Sequence, residues 1–246
     1  MEVVKATSAD LDCILGWLER EHQEDGYGFW SNRRLIIQAL EYDELTVIRE
    51  EGDAVAFQVG KHAPDITSIR KDRRGKGHGT ALFEAGLRRA IKENVNVLNI
   101  TCAPATSWTF WRRFGFEALG PVREWGEVKA RRVLERRHEL PHGTPADVEV
   151  AFYPEDALCR DGDAVEPLAA HRPEAVRMED GTTALDSRVV GLIPENGRDL
   201  AVRIIVDGEE RCFCKAHYDE AEAAGVIRDW RGGAFYVDRV PPSPNA

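Results

Sequence analysis

The run Arg73-Arg74-Gly75-Lys76-Gly77-His78-Gly79-Thr80 joins a short apolar strand to an amphipathic helix through a basic, glycine-spaced turn. Upstream, Ile66, Ser68 and Arg70 alternate with Thr67 and Ile69, the period of two expected of a strand. Downstream, Phe83, Leu87, Ala90 and Ile91 recur at helical spacing over residues 80 to about 93. The glycines therefore fall at the first turn of the helix. There the backbone N–H groups lack intrahelical partners and carry the positive end of the helix dipole, so they favour an anion. Glycine at 75, 77 and 79 removes side chains that would hold a pyrophosphate away from those donors, and Arg73, Arg74 and Lys76 add charge. The plain alternative is a solvated glycine-rich turn.

Two motifs in order favour the phosphate grip. Arg74, Gly77 and Gly79 resemble the Gln/Arg-x-x-Gly-x-Gly/Ala acetyl-CoA loop of the GCN5-related N-acetyltransferase (GNAT) superfamily. After a strand-like segment at 95–102, the run from Thr106 through Trp108, Phe110, Trp111 and Phe114 to Gly115-Phe116 resembles the helix that ends in Gly-Phe in the same family. Thr106 or Ser107 is placed to cap that helix, and Gly115 to stop it in a left-handed conformation. The resemblance covers about residues 2–135. It implies an α/β (α+β) fold: a mixed, mainly antiparallel central sheet flanked by helices, with strands four and five splayed apart to admit the pantetheine arm.

By that resemblance, acetyl-CoA is the co-substrate, held by Arg74, Gly75, Lys76, Gly77, His78, Gly79 and Thr80, with the backbone of Ser68 and Ile69 pairing the pantetheine. The family's acceptor wall maps onto the unusual loop from Glu24 to Asn32, which makes Tyr27, Phe29 and Trp30 candidate substrate-binding residues. Pinning of the loop to the core is the other reading of those rings. The usual glutamate base and tyrosine acid fall at Ser68 and Trp111, which can serve neither role well, so the general base and acid are not identified. His62 and Asp65, just upstream, are the substitutes the sequence offers. A catalytically weak acyl-CoA sensor, or a protein-interaction module, is the competing reading.

Elsewhere in the first half, Thr7-Ser8-Ala9-Asp10 reads as a capping box opening a helix with Leu11, Ile14, Leu15 and Leu18 on one face. A second helix at about 31–41 is followed by strands at 44–49 and 54–60 joined by hairpin chemistry across Glu50-Glu51-Gly52-Asp53. Strand-like residues at 116–118 and 126–134 close the domain.

The 246 residues are 43% hydrophobic and 31% charged, the balance of a folded globular protein with room for two domains. No apolar run is long enough to span a bilayer, and Met1 to Thr7 resembles no secretory leader, so a cytoplasmic location is expected. Five scattered cysteines fit a reduced compartment. The net charge of −10 resides in residues 141–246, which hold 11 basic and 21 acidic residues. This acidity makes nucleic acid an unfavoured partner and favours a cationic amine acceptor if it borders the cleft.

A domain boundary is expected near Leu140-Pro141-His142-Gly143-Thr144-Pro145, giving residues 1–140 as the acetyltransferase-like domain and 141–246 as a smaller, acidic, mainly β domain. Its expected strands are 148–153, 188–193, 200–206, 210–215 and 234–240, with Asp207-Gly208 as a hairpin turn and a short helix at about 217–224. Cys212, Cys214 and His217 lack a second paired cluster, so core cysteines on a strand are expected and no metal. A homodimer, or a protein partner of the C-terminal domain, fits the remaining surface.

Overall fold

A computed structural model describes residues 1–159, 165–195, 199–230 and 232–243. The chain divides into two compact units, Met1–Arg132 and Val133–Ala246. Among the described residues no helix is long and apolar enough to cross a membrane.

In unit 1, β1 (Val4–Lys5) leads into α1 (Ser8–Asp25) through the expected capping box. The box is reciprocal: the Thr7 N–H donates to Asp10 Oδ2 at 2.7 Å, and the Asp10 N–H donates to Thr7 Oγ1 at 3.4 Å. Gly26, at φ 72°, ends the helix with its N–H on the His22 carbonyl. The buried face is Ile14, Trp17 and Leu18, with Leu11 and Leu15 on its flank. Trp17 decides that rotation, because its indole N–H reaches the Ala54 carbonyl at 3.0 Å while the ring packs on Phe57.

After α2 (Arg33–Glu41), strands β2 (Leu45–Glu50) and β3 (Asp53–Val59) form the expected hairpin. Its turn residues Glu51 and Gly52 both take positive φ, the tight-turn geometry that matches strand twist. β3 is buried from Ala54 to Val59 because α1 and α2 cover one face and α3 (His78–Lys92) the other. With β4 (Ile66–Ile69), these strands make an antiparallel sheet in the order β1-β2-β3-β4. A second sheet, β5-β7-β6, is built from β5 (Val97–Cys102), β6 (Glu117–Ala118) and β7 (Val128–Val133). β4 and β5 are thus edge strands of separate sheets, the arrangement a splayed pair requires.

Several local expectations are corrected. The face of α3 is Leu82, Phe83, Gly86 and Ala90, while Leu87 is half-buried and Ile91 is exposed. Gly86 sets this rotation: a Cβ there would lie 2.9 Å from the His62 carbonyl oxygen, so only a glycine lets the helix settle so close. β5 is buried on one side alone, since Asn99 and Thr101 face out. Neither Thr106 nor Ser107 caps α4 (Trp108–Arg112). The chain enters it through a 3-10 turn at Ala105–Ser107, and the Ser107 hydroxyl donates instead to the Pro104 carbonyl at 2.9 Å. Gly115 does take the left-handed conformation, at φ 75°.

Unit 2 is a sandwich of two antiparallel sheets, which vindicates a mainly β C-terminal region. Its strands are β8 (Thr144–Ala146), β9 (Val148–Pro154), β10 (Ala169–His171), β11 (Ala175–Arg177), β12 (Thr183–Leu192), β13 (Leu200–Val206) and β14 (Glu209–Lys215). Helix α5 (Asp219–Ala223) then precedes β15 (Val226–Asp229) and β16 (Ala234–Val240). One sheet runs β10-β9-β13-β14 and the other β15-β16-β12-β11-β8. Val150, Phe152, Val202 and Ile204 of the first meet Leu185, Val189, Phe235 and Val237 of the second in one core. Asp207 and Gly208, both at positive φ, turn β13 into β14.

The residues just before the proline-rich stretch belong to this sandwich rather than to a linker. Arg137 bridges Ser187, and the backbone of Arg136 and His138 bonds to Arg188 and Asp186 of β12. β12 itself begins earlier than expected, because Asp186, Ser187 and Arg188 interrupt its apolar pattern at a bulge in its register with β16. The short strands β8, β10, β11 and β15 have no sequence-level counterpart; three or four residues carry too little periodicity.

Candidate acyl-CoA site

The candidate site is assembled where β4 hands over to α3. The Arg70 N–H donates to the Val55 carbonyl, and β4 pairs with β3 as Ser68 opposite Phe57 and Ile69 opposite Ala56. In an antiparallel ladder the residues that exchange bonds alternate, so Arg70 and Ser68 spend their backbone groups on β3. Thr67 and Ile69 therefore turn theirs to the free edge. This corrects the expectation for Ser68, whose backbone faces inward and whose side chain is buried, while Ile69 keeps the edge position and Thr67 joins it. The Ile69 carbonyl also accepts from Arg74 Nε at 3.1 Å.

From Ile69 the chain makes a 3-10 turn at Lys71–Arg73 and reaches α3 through Gly75 and Gly77 in left-handed conformations, φ 77° and 86°. Nothing lies within 4 Å of a Cβ built on either glycine, so the approach to the helix N-terminus is open there. Gly79 is different. A Cβ on it would lie 3.3 Å from the Phe110 ring of α4 and 3.5 Å from Ile69 Cδ1, so this glycine brings β4, α3 and α4 together. The N–H groups of the first α3 turn, His78 to Thr80, have no intrahelical acceptor and meet this approach.

Of the expected phosphate-binding residues, His78 has a different job. Its ring is 2% exposed, with Nδ1 3.1 Å from the Arg73 carbonyl oxygen and Nε2 2.7 Å from Glu50 Oε1. It ties the loop to the β2–β3 hairpin and offers only its backbone N–H to a ligand. That hydrogen bond, with help from Lys76 and Arg73, holds the Glu50 carboxyl below its usual range. Arg73 is likewise drawn to Glu50 and Asp72. From α1, Glu21 accepts from the Lys71 N–H at 2.8 Å and lies 3.8 Å from the Arg74 guanidinium, and Asp25 pairs with the Lys71 ammonium. The acidic residues brace the loop, and the exposed Lys76 and Arg74 are the cations it presents to solvent.

The candidate base residues separate. His62 Nε2 sits 2.9 Å from Glu93 Oε2, just past the C-terminal end of α3, and Lys61 shares that carboxylate. These partners hold Glu93 down to about 2. Asp65 stands exposed at the start of β4, and the packing around its carboxyl, followed by the charge of Glu44, pushes its pKa above the usual carboxylate range.

The acceptor-loop rings also separate. Phe29 and Trp30 pack against the core of α1, α2 and β3, with Arg33 stacked 5.0 Å from the Trp30 ring, whereas Tyr27 is 72% exposed. Trp111 is buried in an aromatic cluster, edge-on to Phe83 at 5.6 Å and to Phe116 at 5.9 Å. It fills the core where an acid would be sought.

In unit 2, Cys212 is buried on β14, and burial pushes its thiol up to about 12. Cys214 packs against the same core, and His217 Nδ1 pairs with Asp199. Among the described residues no group of three or more His, Cys, Asp or Glu is arranged to hold a metal.

No family model matches this chain, and no curated protein matches it either. Solved structures do. A ribosomal-protein-alanine N-acetyltransferase from Brucella melitensis is 21% identical, covering 55% of this chain and 100% of its own, with a TM-score of 0.43. A GNAT-family acetyltransferase from Listeria monocytogenes is 17% identical over 54% of this chain and 94% of its own, TM-score 0.43. The PaiA N-acetyltransferase from Thermoplasma acidophilum, solved in complex with coenzyme A, is 8% identical over 54% and 98%, TM-score 0.43.

Proposed function

We propose that unit 1 binds acetyl-CoA and transfers its acetyl group to an amine. The observation that carries this reading is a single juxtaposition: the open, glycine-lined N-terminus of α3 follows directly on a strand edge whose Thr67 and Ile69 backbone groups face outward. A pyrophosphate suits the first, and an extended amide chain suits the second. The groups that would hold the pyrophosphate are the N–H groups around Gly77 to Thr80, with Lys76 and Arg74 adding charge. Thr67 and Ile69 would pair with the pantetheine amides as a neighbouring strand does.

Acetyl-CoA brings the activated thioester, so the protein's task is orientation and proton handling. An attacking amine must be neutral. Asp65, whose carboxyl is poised above the ordinary range at the start of β4, is the base this reading assigns, acting directly or through a water. His62 is held by Glu93 and is set aside. Glu44 beside Asp65 makes this end of the strand acidic, which favours a cationic acceptor, and the exposed Tyr27 is the candidate ring of the acceptor wall.

The test is CoA release from acetyl-CoA by the full chain with individual polyamines, aminoglycosides and lysine- or alanine-terminated peptides. Release above the acceptor-free background that falls roughly 100-fold in Asp65→Asn supports the reading. A chain that binds acetyl-CoA yet releases nothing with any of these amines would sink the transfer step.

A further inference from the structure

Helix α2 covers its sheet with one face only. Ile36 and Ala39 are buried in the core shared with α1 and β3, and Leu40 packs at its margin. The opposite face lies in solvent, and it is not a purely polar one. Leu35 is 51% exposed, Ile37 37%, and Tyr42, just past the last turn, 72%. Apolar residues exposed singly call for no account, but these three belong to one nine-residue helix and its C-cap. Arg34, Gln38 and Glu41, all exposed, run down the middle of this face at the spacing of one helical stripe. Leu35 and Tyr42 lie along one flank of the stripe and Ile37 along the other.

The charges on the stripe run against the helix itself. A helix N-terminus is the positive end of the dipole and favours acidic residues, and its C-terminus favours basic ones. α2 does the reverse: Arg33 and Arg34 open it and Glu41 closes it, with no acidic residue in the first turn and no basic residue in the last. Asn32 makes no capping hydrogen bond through its side chain either. The helix offers these charges no compensation. The residues three and four positions from both Arg34 and Glu41 within it are Ile37 and Gln38, which carry no charge. Arg34 and Glu41 themselves stand about 10 Å apart along the axis, beyond reach of one another. Among the described residues no opposite charge pairs with either.

A second copy laid antiparallel on this face answers both features. A two-fold axis at Gln38 sets Arg34 of each copy against Glu41 of the other, so each unpaired charge gains a partner and the two helix dipoles oppose. The same axis brings each flank onto its own counterpart. Leu35 and Tyr42 then meet the same residues of the second copy, and Ile37 meets Ile37.

We propose that unit 1 self-associates through the exposed face of α2, as an antiparallel two-fold dimer held by reciprocal Arg34–Glu41 pairs around Gln38. The surface is small, so the dimer is weak, with a Kd of roughly 10 to 500 μM. It does not depend on the acyl-CoA reading of the same unit.

The experiment is sedimentation equilibrium of the full chain, from about 5 μM to about 1 mM, beside Arg34→Glu, Glu41→Arg and the double variant. Each single reversal places like charges opposite one another twice in the dimer and should raise Kd about 10-fold or more. The double variant restores both pairs and should return Kd to within about 3-fold of the parent. The reversals also put acid at the start of α2 and base at its end, so each dilute monomer should melt no lower than the parent. A folding defect therefore cannot imitate the loss of the dimer. A parent that stays monomeric to about 1 mM would overturn the proposal. So would a dimer indifferent to either single reversal, or a double variant that associates no better than the singles.

Discussion

His78 Nε2 lies 2.7 Å from Glu50 Oε1, so the loop that opens α3 is anchored to the β2–β3 hairpin by a ring buried beneath it. A histidine in a basic, glycine-rich run invites the reading of a phosphate ligand. Here it works from below. His78→Ala should destabilise unit 1 by about 2 kcal/mol, because a buried side chain with two hydrogen bonds is lost. Its effect on acetyl-CoA binding should come through loop disorder. Denaturant unfolding and an acetyl-CoA titration of the same variant check this. Weakened binding at full stability would make the ring a direct ligand contact instead.

The helix start at Asp10 sets an acid limit. Arg49 donates to both carboxylate oxygens at 2.7 and 2.6 Å, and this, aided by Thr7, lowers Asp10 to about 2 from 3.8. A depressed folded-state pKa contributes stability above the unfolded value and loses it as pH falls through the folded one. The contribution is about 2 kcal/mol, present above pH 4 and lost progressively toward pH 2. Asp10→Asn should cost about 2 to 3 kcal/mol at pH 7 and flatten that part of the acid-unfolding curve, read by circular dichroism.

Asp65 has the opposite sign. Its raised pKa means the protonated form is the one the fold prefers, so its contribution is fully present below the unfolded pKa and lost as pH rises through the folded one. At pH 7 the charged carboxyl opposes folding, and Asp65→Asn should be neutral to stabilising while acetyl transfer falls. Thermal melts at pH 4 and pH 7 are the check. A variant less stable at pH 7 than the parent would refute the assignment of a strained carboxylate.

The legible parts of the sequence are those set by a local backbone requirement. The capping box at Thr7, the β2–β3 and β13–β14 turns, and the glycine stop at Gly115 were readable because each is a local backbone requirement. Which β4 residues face the free edge was not readable. Ser68 and Thr67 differ only in register against β3, and register is a tertiary property. The buried face of α3 is hidden in the sequence for a related reason: Gly86 looks neutral in a hydrophobic pattern, yet it is the point of closest approach. Nor could spacing show that Glu21 and Glu50 brace the loop from α1 and the hairpin, since they lie far from it in sequence.

Unit 2 has its own packing test. Gly191 faces Phe152 across the sandwich, and a Cβ there would lie 2.4 Å from the ring. Gly191→Ala should therefore destabilise the sandwich by about 1 to 3 kcal/mol through forced repacking. Smaller unfolding cost, measured by guanidinium titration, would mean that the two sheets are packed less closely than described.

The central claim is that the N-terminus of α3 is an acyl-CoA site, and titration of acetyl-CoA into the full chain and into Gly77→Val tests it most directly. Gly77 has open space around it but a φ of 86°, so valine both strains the turn and covers the first-turn N–H groups. The account predicts saturable binding to the parent and at least a 10-fold loss in the variant, about 1.4 kcal/mol or more, with the fold retained by circular dichroism. Equal affinity in a folded Gly77→Val, or no binding to the parent, would contradict it.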